Sequence, residues 1–330
     1  MATDLRVHLA PEAYLESLRR DVRDGLTSTP KALPPKYFYD ARGSDVFDEI
    51  TRLPEYYPTR AETAILTQHA DDIAALSRAR TLVELGSGTS EKTRLLLSAL
   101  TSAGTLERFV PFDVDPAVLA DAAAQVGAEY PGLIVEPEIG DFEQHLASLP
   151  RHPAQMIAFL GSTIGNLEPK ARAALLAEIR SVLGPDDTFL LGTDLVKDPA
   201  RLQRAYADAA GVTAAFNRNV LTVVNRELGA DFEESWFEHV ALWNAEREWI
   251  EMHLLSLRDQ IVTIEDLDLE VRFARGELMR TEISAKFRPE VVQRELADAG
   301  MELVHFWTDP DGDFALSLAR VSTLNRSAKR

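Results

Sequence analysis

The sequence predicts a doubly wound α/β fold, a mostly parallel sheet covered by helices on both faces, with a second and smaller α+β unit attached. Three observations carry that reading. Between residues 81 and 198 five apolar, strand-like runs (TLVELGSG, RFVPFDVD, LIVEPEIGDF, MIAFLGSTIGN and TFLLGTDLVKD) alternate with Ala/Leu-rich stretches of helical periodicity. Such alternation is what a buried parallel sheet with crossover helices requires. The first run ends in a glycine-rich turn that opens a helix at about Glu91. After Lys197 the rhythm breaks, which marks an inserted unit of different construction.

Taken in order, residues 11–26 form an amphipathic helix with Leu15, Leu18, Val22 and Leu26 on one stripe. The stretch TPKALPPKYFYDARGSDVFDEITRLPEYYPTRAE is rich in spaced prolines and aromatics, and reads as an irregular segment followed by a helix, suited to one wall of a pocket. Beyond the five strands, RLQRAYADAAGVTAAFNRNVLTVVNRELGA and ESWFEHVALWN read as helices without intervening strands, an inserted substrate-binding unit. WIEMHLLSL, LDLEVRFA and LMRTEISAKF read as antiparallel strands and RPEVVQRELADAG as a helix. ELVHFWTD and FALSLAR form a closing hairpin around DPDGD, and the polar STLNRSAKR is a frayed end.

Composition narrows the function classes. The 330 residues carry 53 acidic and 35 basic side chains, a formal charge of −18, which repels a phosphate backbone and argues against nucleic acid as a partner. Cysteine is absent, which excludes disulfides, zinc thiolates, iron–sulfur clusters and cysteine nucleophiles. The opening MATDLRVHLAPEAYLESLRRDV has no continuous apolar core of the signal-peptide type. No run approaches the roughly 20 apolar residues of a membrane span, so no membrane partner and a cytoplasmic location are expected, with a monomer as the expected state. No His/Asp/Glu spacing suggests a metal site.

The candidate chemistry begins at Val83-Glu84-Leu85-Gly86-Ser87-Gly88-Thr89-Ser90. Glycines after a strand let backbone approach a ligand, a geometry shared with nicotinamide and flavin cofactors, whose pyrophosphate sits on the helix N-terminus. Here Ser90 stands where a third glycine would be, and Glu84 lies two positions before the first. A carboxylate at that point suits a methionine-like cation better than phosphates. Asp113, ending FVPFDVD, stands where a nucleoside ribose finds its acidic partner, whereas Asp115 before Pro116 reads as a helix N-cap. Asp141 and Phe142 after the third strand offer an acceptor and a ring for an adenine. A nicotinamide-dependent oxidoreductase and a catalytically silent cofactor-binding protein remain open on these residues alone.

The succession ELGSGTSEKT, PFDVD, GDF, FLGSTIGN and LLGTDLVKD, with LPEYYPTRAE before it and TEISAKFRPE and WTDPDGDFALSLA after it, resembles the histidine N-α-methyltransferases of ergothioneine biosynthesis. The likeness runs from about Leu18 to Leu318. It implies a seven-stranded class I methyltransferase sheet using S-adenosylmethionine as cofactor, formed by residues 60–196 and 287–330. Residues 1–59 and 197–286 would then form the substrate-binding domain. The implied activity is trimethylation of the α-amino group of free L-histidine to hercynine, the first step of ergothioneine biosynthesis. Carried over by residue, the resemblance implies that Gly86, Lys92, Asp113, Asp141 and Phe142 contact the cofactor, with Tyr39 near the reacting centre. It also implies that Tyr56, Gly161, Asn166, Tyr206, Glu282 and Ser284 hold histidine.

Those implications are chemically coherent. Glu282 and Ser284 stand two apart in an expected strand, so both face one way and can meet the two separated nitrogens of an imidazole. Their neighbour Ala285 alternates away. A surface ion pair to a nearby Arg is the competing reading of Glu282. Asn166 alone reads as a turn residue, and Tyr56 and Tyr206 alone as half-buried core aromatics. Met252 and Phe216 are either pocket lining or ordinary core. Another amino acid, such as tryptophan, is the alternative substrate, because Glu282 carries most of the argument for histidine.

Overall fold

The computed structural model describes residues 5–9 and 11–322. The expected frayed end, from Thr323 onward, lies outside the described residues. Among those described, the chain separates into two compact units. One is drawn from Met1–Leu9, Pro58–Val196 and Lys286–Arg330, the other from Ala10–Tyr57 and Lys197–Ala285.

In chain order the strands are β1 (Arg6–Val7), β2 (Thr81–Leu85), β3 (Arg108–Asp113), β4 (Ile134–Val135), β5 (Glu138–Ile139), β6 (Gln155–Phe159) and β7 (Thr188–Asp194). The second unit then contributes β8 (Phe237–Asn244), β9 (Trp249–Ser256), β10 (Gln260–Ile264), β11 (Leu269–Phe273) and β12 (Leu278–Ala285). The chain returns to the first unit for β13 (Met301–Thr308) and β14 (Phe314–Val321). The helices are α1 (Pro11–Thr27), α2 (Ala41–Arg52), α3 (Pro58–Ser77), α4 (Thr93–Ser102) and α5 (Pro116–Glu129). They continue with α6 (Phe142–His145), α7 (Pro169–Val182), α8 (Pro199–Tyr206), α9 (Val212–Leu228) and α10 (Pro289–Asp298).

The first unit holds the expected doubly wound sheet. Its strands run β1-β5-β3-β2-β6-β7-β14-β13, with β4 also paired to β3. From β5 to β7 neighbours are parallel, and β14 is antiparallel to both β7 and β13. Seven strands, β5-β3-β2-β6-β7-β14-β13, are the predicted methyltransferase sheet, and the two-residue β1 and β4 are additions. The run LIVEPEIGDF is split into β4 and β5 around Pro137, which has no N–H to give to a ladder. β2 is buried at every position, as a central strand covered on both faces must be. Its Leu82 joins Leu96, Leu97 and Leu100 of α4 and Ile65, Leu66 and Ile73 of α3 in one apolar cluster.

β1 pairs in parallel with β5, so residues 5–9 join the sheet unit and not, as the sequence suggests, the substrate-binding part. The closing hairpin is held by Asp309, whose carboxylate accepts the N–H groups of Asp313 (2.8 Å) and Phe314 (2.7 Å). Asp309, Asp311 and Asp313 bring their carboxylates within 4.8 Å of one another, a cluster unseen in the sequence reading and explained by that turn.

The second unit packs α1 and α9 on a three-stranded antiparallel sheet of order β12-β9-β8, with β10 and β11 forming a separate hairpin. The α1 stripe behaves as predicted: Leu18, Val22 and Leu26 are buried among Phe216, Val220, Val224, Ile250 and Leu254. Burying each such side chain stabilises by about 1.5–3 kcal/mol before entropy is counted. Three expectations need correction. ESWFEHVALWN is not a helix, because Phe237–Asn244 is the edge strand β8, half-buried along most of its length and without clean alternation. Gln260–Ile264 is a strand, β10, where the sequence reading places none. The aromatic segment before Pro58 also contains a helix, α2, whose N-cap Asp40 accepts the Gly43 N–H at 2.8 Å.

Candidate functional site

In the first unit, β5, β3, β2 and β6 are consecutive parallel neighbours. The loops that follow them therefore lie side by side along one edge of the sheet. The order reverses at β2, with β3 on one side and β6 on the other, and ligands of open α/β sheets bind at such a switch point. Gly86 follows β2, Asp113 ends β3, Asp141 and Phe142 follow β5, and Gly161 and Asn166 follow β6.

The glycine turn is built for close approach. Gly86 and Gly88 have φ of 65° and 49°, and a Cβ placed on either meets nothing within 4 Å. Ser90, in the third glycine's place, adopts φ 53°, a conformation that costs a non-glycine residue free energy. Its hydroxyl donates to the Glu84 carboxyl at 3.3 Å, and Thr93 donates to the other Glu84 oxygen. Glu84 is 4% exposed. Desolvation raises its pKa to about 8, against the lowering effect of Thr93, Lys92 and Ser90. The neutral acid is thereby favoured at neutral pH, so Glu84 does not supply the fixed negative charge that its position in the sequence suggests. It braces the turn from beneath.

Asp113 ties two strands' ends together. One carboxylate oxygen accepts the Gly88 N–H at 2.8 Å, and the other accepts those of Val114 (2.7 Å) and Asp115 (3.2 Å). Desolvation raises its pKa while these N–H bonds oppose the shift. A carboxylate has about four acceptor positions, so one remains for a hydroxyl. Asp115 is the N-cap of α5, accepting from Ala117 (2.9 Å) and Val118 (3.2 Å), as its place before Pro116 predicts. Asp141 caps α6 through the Glu143 N–H at 2.9 Å and also accepts from the Gln144 amide at 2.9 Å. The half-buried Phe142 ring meets Phe159 edge-on at 5.0 Å.

Lys92, just before α4, forms an ion pair with Glu62 of α3, whose side chain is wholly buried. The same carboxylate accepts the Gly161 N–H through both oxygens, at 2.9 and 3.1 Å. The turn after β6 is fixed by Ser162 in left-handed backbone (φ 59°), whose hydroxyl accepts the Asp194 N–H at 2.9 Å. Asn166 closes this turn and is half-buried.

In the second unit, the predicted substrate residues form a connected series. The Tyr39 ring lies edge-on to Phe47 (5.6 Å) and Phe216 (5.4 Å), and Phe47 meets Tyr56 at 6.3 Å. Tyr56 meets Tyr206 at 6.2 Å, and the Tyr206 hydroxyl is 2.7 Å from that of Ser284. Glu282 and Ser284 share a face of β12, past a register shift between Arg280 and Glu282. Glu282 is 8% exposed, so it does not stand on the surface. Met252, opposite Glu282 in the ladder, and Phe216 are each 2% exposed, so both are core.

A buried network supports these residues. Thr281 donates to the Asn217 carbonyl oxygen at 2.6 Å, and the Asn217 amide nitrogen donates to the His253 carbonyl (3.0 Å) and contacts His239 Nδ1 at 2.8 Å. His239 Nε2 lies 2.7 Å from the Tyr206 carbonyl oxygen. A carbonyl only accepts, so Nε2 carries the proton and Nδ1 accepts from Asn217. Burial lowers the His239 pKa, in keeping with this neutral tautomer.

The chain matches the family described as histidine-specific, SAM-dependent methyltransferases over residues 18–321. It is 60% identical to a histidine N-alpha-methyltransferase of Mycolicibacterium smegmatis, covering 97% of this chain and 99% of that protein. It is 56% identical to the protein of the same name from Mycobacterium tuberculosis, with the same coverage. An ergothioneine biosynthesis protein 1 of Neurospora crassa is 33% identical over 84% of this chain and 32% of its own length. The chain belongs to the histidine-specific methyltransferase family.

As a member of this S-adenosylmethionine-dependent family, the protein has a cofactor whose demands its residues fit. The open turn at Gly86 and Gly88, the Asp113 carboxylate with spare acceptor capacity, and the Asp141–Phe142 pair stand on adjacent loops. Sequence reasoning missed Glu62, Asn217 and His239. Glu62 looks like any acid on a helix, and its only sequence signal is remote: Gly192, a glycine inside the fully buried β7.

Proposed function

We propose that this protein trimethylates the α-amino group of free L-histidine to hercynine, opening ergothioneine biosynthesis, as a monomeric cytoplasmic enzyme. The observation that carries the substrate assignment is the buried face of β12, where Glu282 and Ser284 stand together and Ser284 meets Tyr206. A carboxylate and a hydroxyl are complementary to the two separated nitrogens of an imidazole, and a side chain that offers no such nitrogens forgoes those hydrogen bonds. The two nearly full-length relatives named histidine N-alpha-methyltransferase support the same reading. The acidic balance of 53 to 35 argues against nucleic acid, and among the described residues no helix is long and apolar enough to cross a membrane.

When bound, S-adenosylmethionine supplies an electrophilic methyl group on a sulfonium. Gly86, Lys92, Asp113, Asp141 and Phe142 are the residues assigned to holding it. Tyr56, Gly161, Asn166, Tyr206, Glu282 and Ser284 are the residues assigned to histidine. The protein's task is positioning, because displacement needs in-line approach at about 3–3.5 Å. The amine must be neutral to attack, and the α-amino group of a free amino acid, beside a carboxylate, titrates above the value near 8 of a peptide N-terminus, so a proton must be passed on before each transfer. Tyr39 orients the lone pair and passes the proton toward water. The rings of Tyr39 and Tyr56 accept the fixed cation of the trimethylated product.

The test is mass spectrometry of turnover with the twenty free amino acids. Histidine gaining one, two and three methyl groups is the expected result; turnover of a different amino acid overturns the substrate assignment.

A further inference from the structure

Glu62 is 0% exposed and binds two groups that the functional reading assigns to different ligands. Its carboxylate pairs with the ammonium of Lys92, beside the cofactor turn, and accepts the N–H of Gly161, in the loop assigned to histidine. The two contacts reach 30 and 99 residues along the chain. A Cβ built on Gly161 would lie 3.9 Å from the Lys92 Nζ, so lysine and loop are neighbours with Glu62 behind both.

Gly192 is independent support. It lies within β7, buried at all seven positions, where glycine weakens a strand and calls for a reason. The reason is Glu62: a side chain at 192 would collide with its carboxylate and press on the Phe314 ring at 3.2 Å. The central strand gives up a side chain to admit the carboxylate.

We propose that Glu62 is a positioning residue that fixes the Lys92 ammonium and the Gly161 amide relative to each other, so that the cofactor turn and the substrate loop are set as one piece. This rests on the assignment of Lys92 to S-adenosylmethionine and of Gly161 to histidine. A charged acceptor makes stronger bonds to an ammonium and an N–H than an amide does. Glu62→Gln therefore keeps the shape and weakens both links.

The experiment is calorimetric titration with S-adenosylhomocysteine, alongside steady-state kinetics and the thermal midpoint of the ligand-free protein. Wild-type binding of S-adenosylhomocysteine tests the underlying reading by itself, and its absence removes both. Given that binding, Glu62→Gln is expected to weaken the titrated affinity about tenfold and raise the histidine KM by a similar factor, with kcat falling less than about threefold. In a Lys92→Met background the same change should cost less than about twofold in affinity, because its partner is gone. Gly192→Ala, which displaces the carboxylate without altering it, should reproduce the weakened affinity. A lowered thermal midpoint with unchanged affinity and KM makes Glu62 merely structural and overturns the proposal, as do additive losses in the Lys92→Met background.

Discussion

The hydroxyl oxygens of Tyr206, at the end of α8, and Ser284, on β12, lie 2.7 Å apart and both residues are buried. Each hydroxyl has one proton and two lone pairs, so the bond between them sets which is left to face a ligand. Tyr206→Phe removes this hydrogen bond and a hydroxyl from the face of Ser284. The expected outcome is a histidine KM raised about tenfold, the worth of one buried hydrogen bond, with a thermal midpoint near wild type. Steady-state kinetics at saturating cofactor checks this, and an unchanged KM removes Tyr206 from substrate recognition.

Glu282 carries a sharper expectation. It is buried on the same face as Ser284, and the proposed function assigns it to the imidazole. Glu282→Ala should lower kcat/KM for histidine by well over a factor of ten. Competition between histidine and tryptophan, followed by product mass, reads the change in preference. Unaltered histidine kinetics would refute the assignment.

How much of this was legible depended on the range of the interactions. The glycine turn, Asp113 and the N-cap Asp115 were readable because their chemistry is local: strand, turn and cap lie within a few residues. β8 was not, since its burial is partial and its register is set by β9 and not by its own pattern. Glu62 was invisible because its partners arrive from other elements, as was Asn217, which meets Thr281 across 64 residues. Long-range polar contacts leave no periodic trace in a sequence.

Asn217 is the centre of the network beneath Tyr206 and β12. Replacing it with Ala takes a buried partner from His239 Nδ1 and the His253 carbonyl, at about 1–3 kcal/mol for each group left unsatisfied, while the Thr281 hydroxyl keeps the Met252 carbonyl at 3.1 Å. Asn217→Ala is expected to lower the thermal midpoint by several degrees and also to raise the histidine KM, because Tyr206 loses the orientation passed through His239. Calorimetric melting and kinetics on one preparation check both. A lower midpoint with an unaltered KM would confine Asn217 to folding.

Glu84 provides a pH signature. Desolvation lifts its pKa from 4.5 in the unfolded chain to about 8 in the folded protein, so between those values the folded state binds more protons than the unfolded state. Stability contributed by this group is therefore present below pH 4.5 and declines as pH rises through the interval, at about 1.4 kcal/mol per pH unit where the two states differ by a whole proton. Glu84→Gln keeps a neutral, similarly shaped side chain at every pH and abolishes the dependence. Thermal midpoints of wild type and variant, measured from pH 5 to 9, should diverge steadily in the variant's favour and level off above pH 8. Parallel curves would mean that Glu84 stays ionised beneath the cofactor turn, where its charge would attract a bound cation.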